Sequence, residues 1–409
     1  RSNVITKIPR SLAGDNSNTW MTQIVTEPVL MDHINSLQPH IIRFPGGSIS
    51  DLFFWNAPAN GRPADVPVQL LGANGNPADA YYWFGKNTES WTLSVDNYYN
   101  LRQQTNSEGI IIINYGYARY GTSANPVAAA AHLAADWVRY DNGRTKYWEI
   151  GNENFGEWEA GYRINTAANQ DSQPEFATGT LYGQHFKVFA DSMRKAAQET
   201  GKTIYIGAVL YDQAPQSWMT QTTQQWNTGV LTASGTSPDF YIVHNYYTEY
   251  HTNANAATIL QTPLTVTTTM MNYLKQTLAN TGRTEKPIAL TEWNIFSTGS
   301  KQQVSHINGL HGIMVVGEAL KNKFGMTARW DLSNGWEDGN DHGLFSKGDE
   351  PDGIPKWTPR PAFYHLYFFK KQLGDRLVSS TSTSEDIISY ASSYTSGETA
   401  VTLINKGAW

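Results

Sequence analysis

The chain has 409 residues, 40% of them hydrophobic, enough to build a large core without staples. It contains no cysteine, which excludes disulfides, thiol nucleophiles and thiolate metal ligands. A net charge of −6 with no basic run argues against nucleic acid or any other polyanionic partner, and no apolar run reaches the ~18 residues of a membrane span.

Short apolar runs rich in β-branched residues recur along the chain, with helical or loop material between them. In order they are HIIRF (40–44), GIIIIN (109–114), TKYWEI (145–150), TIYIGAV (203–209), DFYIVH (239–244), KPIALTE (286–292) and GMTARW (325–330). A less distinct eighth run precedes them around 10–14. Pro126 opens a helix that the Asn142-Gly143 pair closes; 181–199 reads as a second, ended by Thr200-Gly201, and 305–321 as a third with Ser305 as cap. Apolar strands each followed by a helix require a parallel sheet covered on its outer face, and eight such units predict an α/β fold, a closed TIM (β/α)8 barrel over 11–373. No strand is followed by the glycine-rich loop of a nucleotide fold. From 374 the sequence turns Ser- and Thr-rich and alternates apolar with polar residues, which predicts part of a small antiparallel β-sandwich domain over 374–409, with 1–10 as a candidate further strand. The loop 56–87 lies beyond a strand's C-terminal end, the active-site face of a barrel.

The stretch YWEIGNENFGEWEAGY (147–162) holds four glutamates. Glu149 falls inside a strand, where a carboxylate needs a cationic or hydrogen-bonding partner, and reads as structural. Glu157 and Glu159 lie further along the loop, where a carboxylate is ordinarily solvated or set at a helix start. Glu153 sits just past the strand, on the catalytic face. Glu292 ends another strand and supplies a partner. Two carboxylates converging on one mouth can divide acid and nucleophile roles.

These residues carry a resemblance. An N-E pair after the fourth barrel strand and a Glu ending the seventh resemble the clan A retaining glycoside hydrolases, and the finer match is to glycoside hydrolase family 51, which holds α-L-arabinofuranosidases and endoglucanases. RFPGGS resembles that family's R-Y-P-G-G motif, IGNENFGEW its G-N-E loop, HNYY its H-Q-Y-Y motif and TEWNIF its E-W-N motif. Two departures stand out: PGGS replaces the usual PGGN, and ENFGEW the usual EMDGPW. The resemblance implies that Glu153 is the acid/base and Glu292 the nucleophile, that Asn152 binds the sugar 2-hydroxyl, that Tyr246 orients Glu292 while Arg43 holds its charge, that His244 lines the site, and that Trp330 is a sugar platform. It implies a double displacement that needs no cofactor.

The composition agrees with a sugar-stacking surface: 14 Trp and 22 Tyr accompany only 16% charged residues. Aromatic residues at Trp55, 81–84, Trp91, Trp158 and Trp218 predict an extended cleft, hence an endo-acting β-glycanase on plant or algal cell-wall polysaccharide, with an exo-acting α-L-arabinofuranosidase or a catalytically silent carbohydrate-binding barrel as alternatives. An extracellular or periplasmic location fits such a substrate, and a start at Arg1 without Met fits a processed chain. GGSIS is not a nucleophile elbow, and the ten histidines show no metal-ligand spacing. The acidic segments 338–342 and 348–353 read as solvated turns rather than calcium loops.

Overall fold

The computed structural model describes residues 3–407. After β1 (Val4–Lys7), eight parallel strands close a barrel: β2 (Ala13–Asn16), β3 (Ile41–Phe44), β4 (Glu108–Ile113), β5 (Tyr147–Ile150), β6 (Tyr205–Val209), β7 (Phe240–Tyr246), β8 (Ile288–Asn294) and β9 (Met326–Arg329). Closure is direct, with Thr327 of β9 in register with Ala13 of β2. The β4 isoleucines Ile110, Ile111 and Ile112 are fully buried, as expected of a strand covered on one face by helices and on the other by the barrel interior.

The first barrel strand begins three residues later than the sequence run suggested, at Ala13, because its second half is polar: Asn16 points into the barrel toward Arg43, and buried Asp15 faces the covering helices beside Lys370. Strand β8 continues to Asn294, so Glu292 sits two residues inside its end.

Helix ends follow local chemistry. The Asn125 side chain accepts from the Ala128 N–H to start Pro126–Asp141, and Asn142 ends it in the left-handed region at φ 51°. Thr178 caps Gly179–Glu199, and Ser305 caps His306–Lys321. The helices Gln221–Ser234 and Ala256–Asn280 left little trace in the sequence. Both are rich in Thr, a weak helix former, and Pro263 lies inside the second. Buried faces such as Trp226, Val230 and Leu231 hold them in place.

Strand β1 joins β10 (Arg376–Val378), β11 (Ile387–Ser393) and β12 (Thr399–Asn405) in one antiparallel sheet of order β1-β10-β11-β12. Tyr390 of β11 anchors the sheet to the barrel. Its ring lies over Gly317, where a Cβ would come within 2.4 Å, and its hydroxyl donates to Glu318 Oε1 at 2.8 Å. No helix among the described residues is long and apolar enough to cross a membrane.

Candidate active site

Arg43, fully buried on β3, organises the barrel mouth. Its Nε donates to both oxygens of Glu149 (3.1 and 3.0 Å) and its Nη2 to Oε2 at 2.9 Å. Nη1 reaches Glu292 Oε1 at 2.8 Å and Asn16 Oδ1 at 2.9 Å; Nη2 also reaches Asn152 Oδ1 at 2.9 Å. One guanidinium thus ties together β2, β3, β5 and β8. Glu149 points inward because its neighbour Trp148 faces out and packs edge-on against Trp137 of the covering helix. A buried carboxylate that loses its cation typically costs ~3–5 kcal/mol. Arg43→Met is therefore expected to lower the unfolding free energy by about that amount, read as a shift in denaturant midpoint; an unmoved midpoint would mean that Arg43 is not what satisfies Glu149.

The β7–β8 register slips by one residue between Val243–Leu290 and His244–Glu292, leaving Thr291 as the extra residue. Irregular pairing of this kind re-aims side chains at the rim of a sheet. Here it brings His244 beside both carboxylates: Nδ1 lies 2.9 Å from Glu153 Oε1 and 3.8 Å from Glu292 Oε2, and Nε2 lies 3.0 Å from Thr291 Oγ1. Burial pushes the His244 pKa down to about 4, so the ring is neutral. With an Arg43 N–H facing Nε2 at 3.4 Å, the proton belongs on Nδ1, from which it donates to Glu153.

Glu153 sits on the turn past β5 with its side chain 18% exposed. Trp158 Nε1 donates to its Oε2 at 3.0 Å. Desolvation in the mouth pushes the Glu153 pKa up to about 7, against the opposing pull of the Trp158 hydrogen bond and of Arg43. Glu292 is 4% exposed and accepts from Arg43 and from the Tyr246 hydroxyl, the latter at 3.0 Å. One carboxylate oxygen of Glu153 lies within 4.8 Å of one of Glu292. That is close to the ~5–5.5 Å of retaining glycosidases and too short for the roughly 6.5–9.5 Å that admits a water between them. The arrangement offers a proton donor and a charge-stabilised nucleophile facing the same small volume.

The other residues singled out in the sequence divide. Tyr246 stacks on Phe296, with centroids 4.7 Å apart, while reaching Glu292. Asn152 is buried between Arg43 and Glu159. Trp330 follows β9, half-buried, edge-on to Trp20, and rests on Gly47: at φ 46° this glycine would place a Cβ 2.7 Å from the indole. Trp158 is 60% exposed and touches Glu153 itself.

Trp55 does not belong to the site. Only 7% exposed, it stacks on Trp137 at 5.6 Å and donates from Nε1 to the Leu133 carbonyl, fixing the base of the long loop to the helix Pro126–Asp141. Glu159 is not solvated but 4% exposed beneath Asn152, and Glu157 alone keeps the exposed place expected of both. The two acidic segments are not simple solvated turns either, since Asp341 and Glu350 both pair with Arg360. Asn16 and Trp20 went unread because nothing in a short polar strand shows which side faces the barrel axis.

Residues 33–252, more than half of the chain, match the family model of the alpha-L-arabinofuranosidase 1 domain. Solved structures of similar fold include AbfB, a family 51 alpha-L-arabinofuranosidase from Bifidobacterium longum, at 17% identity and TM-score 0.65, covering 100% of this chain and 84% of that one. The GH51 arabinofuranosidase from Xanthomonas axonopodis pv. citri aligns at 15% identity and TM-score 0.61 over 100% and 84%. CelM2, a bifunctional glucanase-xylanase from a metagenome library, aligns at 12% identity and TM-score 0.60 over 98% and 86%. At these identities the structures speak for the fold alone. No curated protein sequence matches the chain.

Proposed function

Because the chain belongs to the alpha-L-arabinofuranosidase 1 domain family and is thereby a glycoside hydrolase of the retaining clan, we propose that Glu292 is its nucleophile and Glu153 its acid/base. Glu292 attacks the anomeric carbon while the bond to the leaving oxygen breaks and that oxygen takes the Glu153 proton. Glu153, now a base, removes a proton from water as the water displaces Glu292, and the sugar leaves with its configuration retained. Arg43 and Tyr246 hold the attacking carboxylate, His244 and Trp158 hold the acid, and one Asn152 N–H remains for a sugar hydroxyl.

For the substrate we propose endo-action on a plant or algal cell-wall polysaccharide. One observation carries this: a hollow of about 840 Å³ leads away from Tyr246 and is lined by Tyr211, Trp218, Tyr250, Tyr273 and Phe296. Tyr211 packs on Phe155, two residues past Glu153, with ring centroids 4.8 Å apart, so the hollow opens beside the proposed acid. Trp218 and Tyr250 stand 74% and 65% exposed, as flat faces for sugar rings. The family match favours the second reading, exo-release of arabinose. Product analysis on β-glucans, xylan, arabinan and agar separates the two: oligosaccharides are expected, and monosaccharide alone would sink endo-action. Trp218→Ala is expected to raise KM for long oligosaccharides by about tenfold, the equivalent of ~1.4 kcal/mol, while leaving aryl glycosides unaffected.

A further inference from the structure

Beneath the acid loop lies a pair of carboxyls that the reaction as written does not use. Glu159 is 4% exposed and Asp51, in the tight turn Ser48–Leu52 after β3, is fully buried. Glu159 Oε1 accepts from Ser48 Oγ at 2.9 Å and from Asn152 Nδ2 at 2.8 Å. Its Oε2 meets no N–H or O–H donor, and the Glu159 and Asp51 carboxyls lie within hydrogen-bond reach of each other. Asp51 Oδ1 accepts from the backbone N–H groups of Tyr115 and Gly116 (3.1 and 2.9 Å), and its Oδ2 from Asn154 Nδ2 at 2.7 Å.

No cation among the described residues touches the pair. Arg43, on the barrel side, reaches Asn152 but not Glu159. Arg119, on the adjoining helix Gly116–Tyr120, donates instead to the carbonyls of Gly161, Pro174 and Glu175 and to Gln173. The remaining titratable neighbours are the phenols of Tyr115, Tyr120 and Tyr182, together with Glu153. Two buried carboxyls in contact without a cation cannot both ionise, so they keep one proton between them and carry a single negative charge.

We propose that Glu159, sharing a proton with Asp51, is a positioning residue for hydrolysis: it fixes the Asn152 amide and places a negative charge near Glu153 that adds to the effect of burial there. Fixing the amide follows from the hydrogen bonds. With Nδ2 committed to Glu159, Oδ1 must face Arg43, and one N–H is left pointing free. The electrostatic half follows from reciprocity: Glu159 feels the charge of Glu153, so a charge on Glu159 opposes the ionisation of Glu153 in turn, and where the pair's charge sits decides how strongly it acts. Burial pushes both carboxyls upward, Glu159 to about 7.

The inference rests on Glu153 being the acid, yet its electrostatic half is readable without substrate, because the Trp158 indole N–H bonds Glu153 directly. The pH titration of that indole ¹⁵N–¹H resonance is expected to show a midpoint near pH 7 in the wild type. Glu159→Gln moves the charge to Asp51 and is expected to lower the midpoint by on the order of one pH unit. Asp51→Asn leaves the full charge on Glu159 and is expected to raise the midpoint; Asn154, whose Oδ1 has no partner, can turn to accept from the new amide. Shifts of opposite sign support the pair, and Asp51→Asn alone decides the matter if Glu159→Gln fails to fold. An unmoved midpoint, or equal shifts in one direction, would overturn it. If the resonance moves but the alkaline limb of kcat/KM on 4-nitrophenyl α-L-arabinofuranoside or 4-nitrophenyl cellobioside does not, the pair stands and the reading of Glu153 as acid fails.

Discussion

Glu292→Ala is expected to abolish hydrolysis of every substrate, a loss of roughly 10⁴- to 10⁶-fold, the scale that follows removal of a covalent nucleophile. The reason is stereochemical as much as energetic. Without the Glu292 oxygen beneath the anomeric carbon, no glycosyl ester forms, and no carboxylate remains on that face to activate a water in its place. Sugar binding should persist, because Arg43 keeps Glu149 and Asn152 as partners. The measurement pairs steady-state rates with calorimetric binding of the product oligosaccharide. Hydrolysis unchanged in this variant would turn the molecule into a sugar-binding barrel whose carboxylates are structural.

Glu153→Ala should behave differently. Loss of a general acid typically costs 10²- to 10⁴-fold on substrates with poor leaving groups, and far less on aryl glycosides whose phenolate leaves unaided. Those aryl substrates still glycosylate Glu292 but then stall, since no base remains to activate water. Azide needs no base. It is expected to restore turnover and to yield a glycosyl azide of retained configuration. The wild-type alkaline limb near pH 7, set by the raised Glu153 pKa, should vanish: below that pH the acid holds its proton, and above it the proton is lost. Failure of azide to rescue, or persistence of the limb in Glu153→Ala, would move the acid/base role elsewhere.

Much of the barrel was legible because seven of its eight strands are mostly apolar and buried on both faces, even where a single Arg43, Glu149 or Glu292 points inward. A composition signal survives when both sides of a strand are buried, as in Ile110 to Ile112. It fails in a strand as short and half polar as Ala13–Asn16, where Asn16 faces the barrel interior and Asp15 the helices. The two catalytic candidates were legible because the end of an apolar run marks the active face. Glu159 was misread because its burial depends on Ser48 and Asp51, about a hundred residues earlier, and only the closed barrel brings them together. Trp55 was misread for the converse reason: an indole has the same letter whether it faces a sugar or, as here, the flat side of Trp137.

Gly47 sets a limit on how this site can drift. The floor on which Trp330 lies is formed by the missing side chain of a residue past a strand only two places round the barrel, and even one methyl there would push the indole from its seat. Two positions nearly three hundred residues apart are therefore coupled: the glycine is free to change only in a lineage that has already given up the tryptophan. Among descendants of this chain, a substitution at 47 would mark a rebuilt barrel mouth before either glutamate had moved.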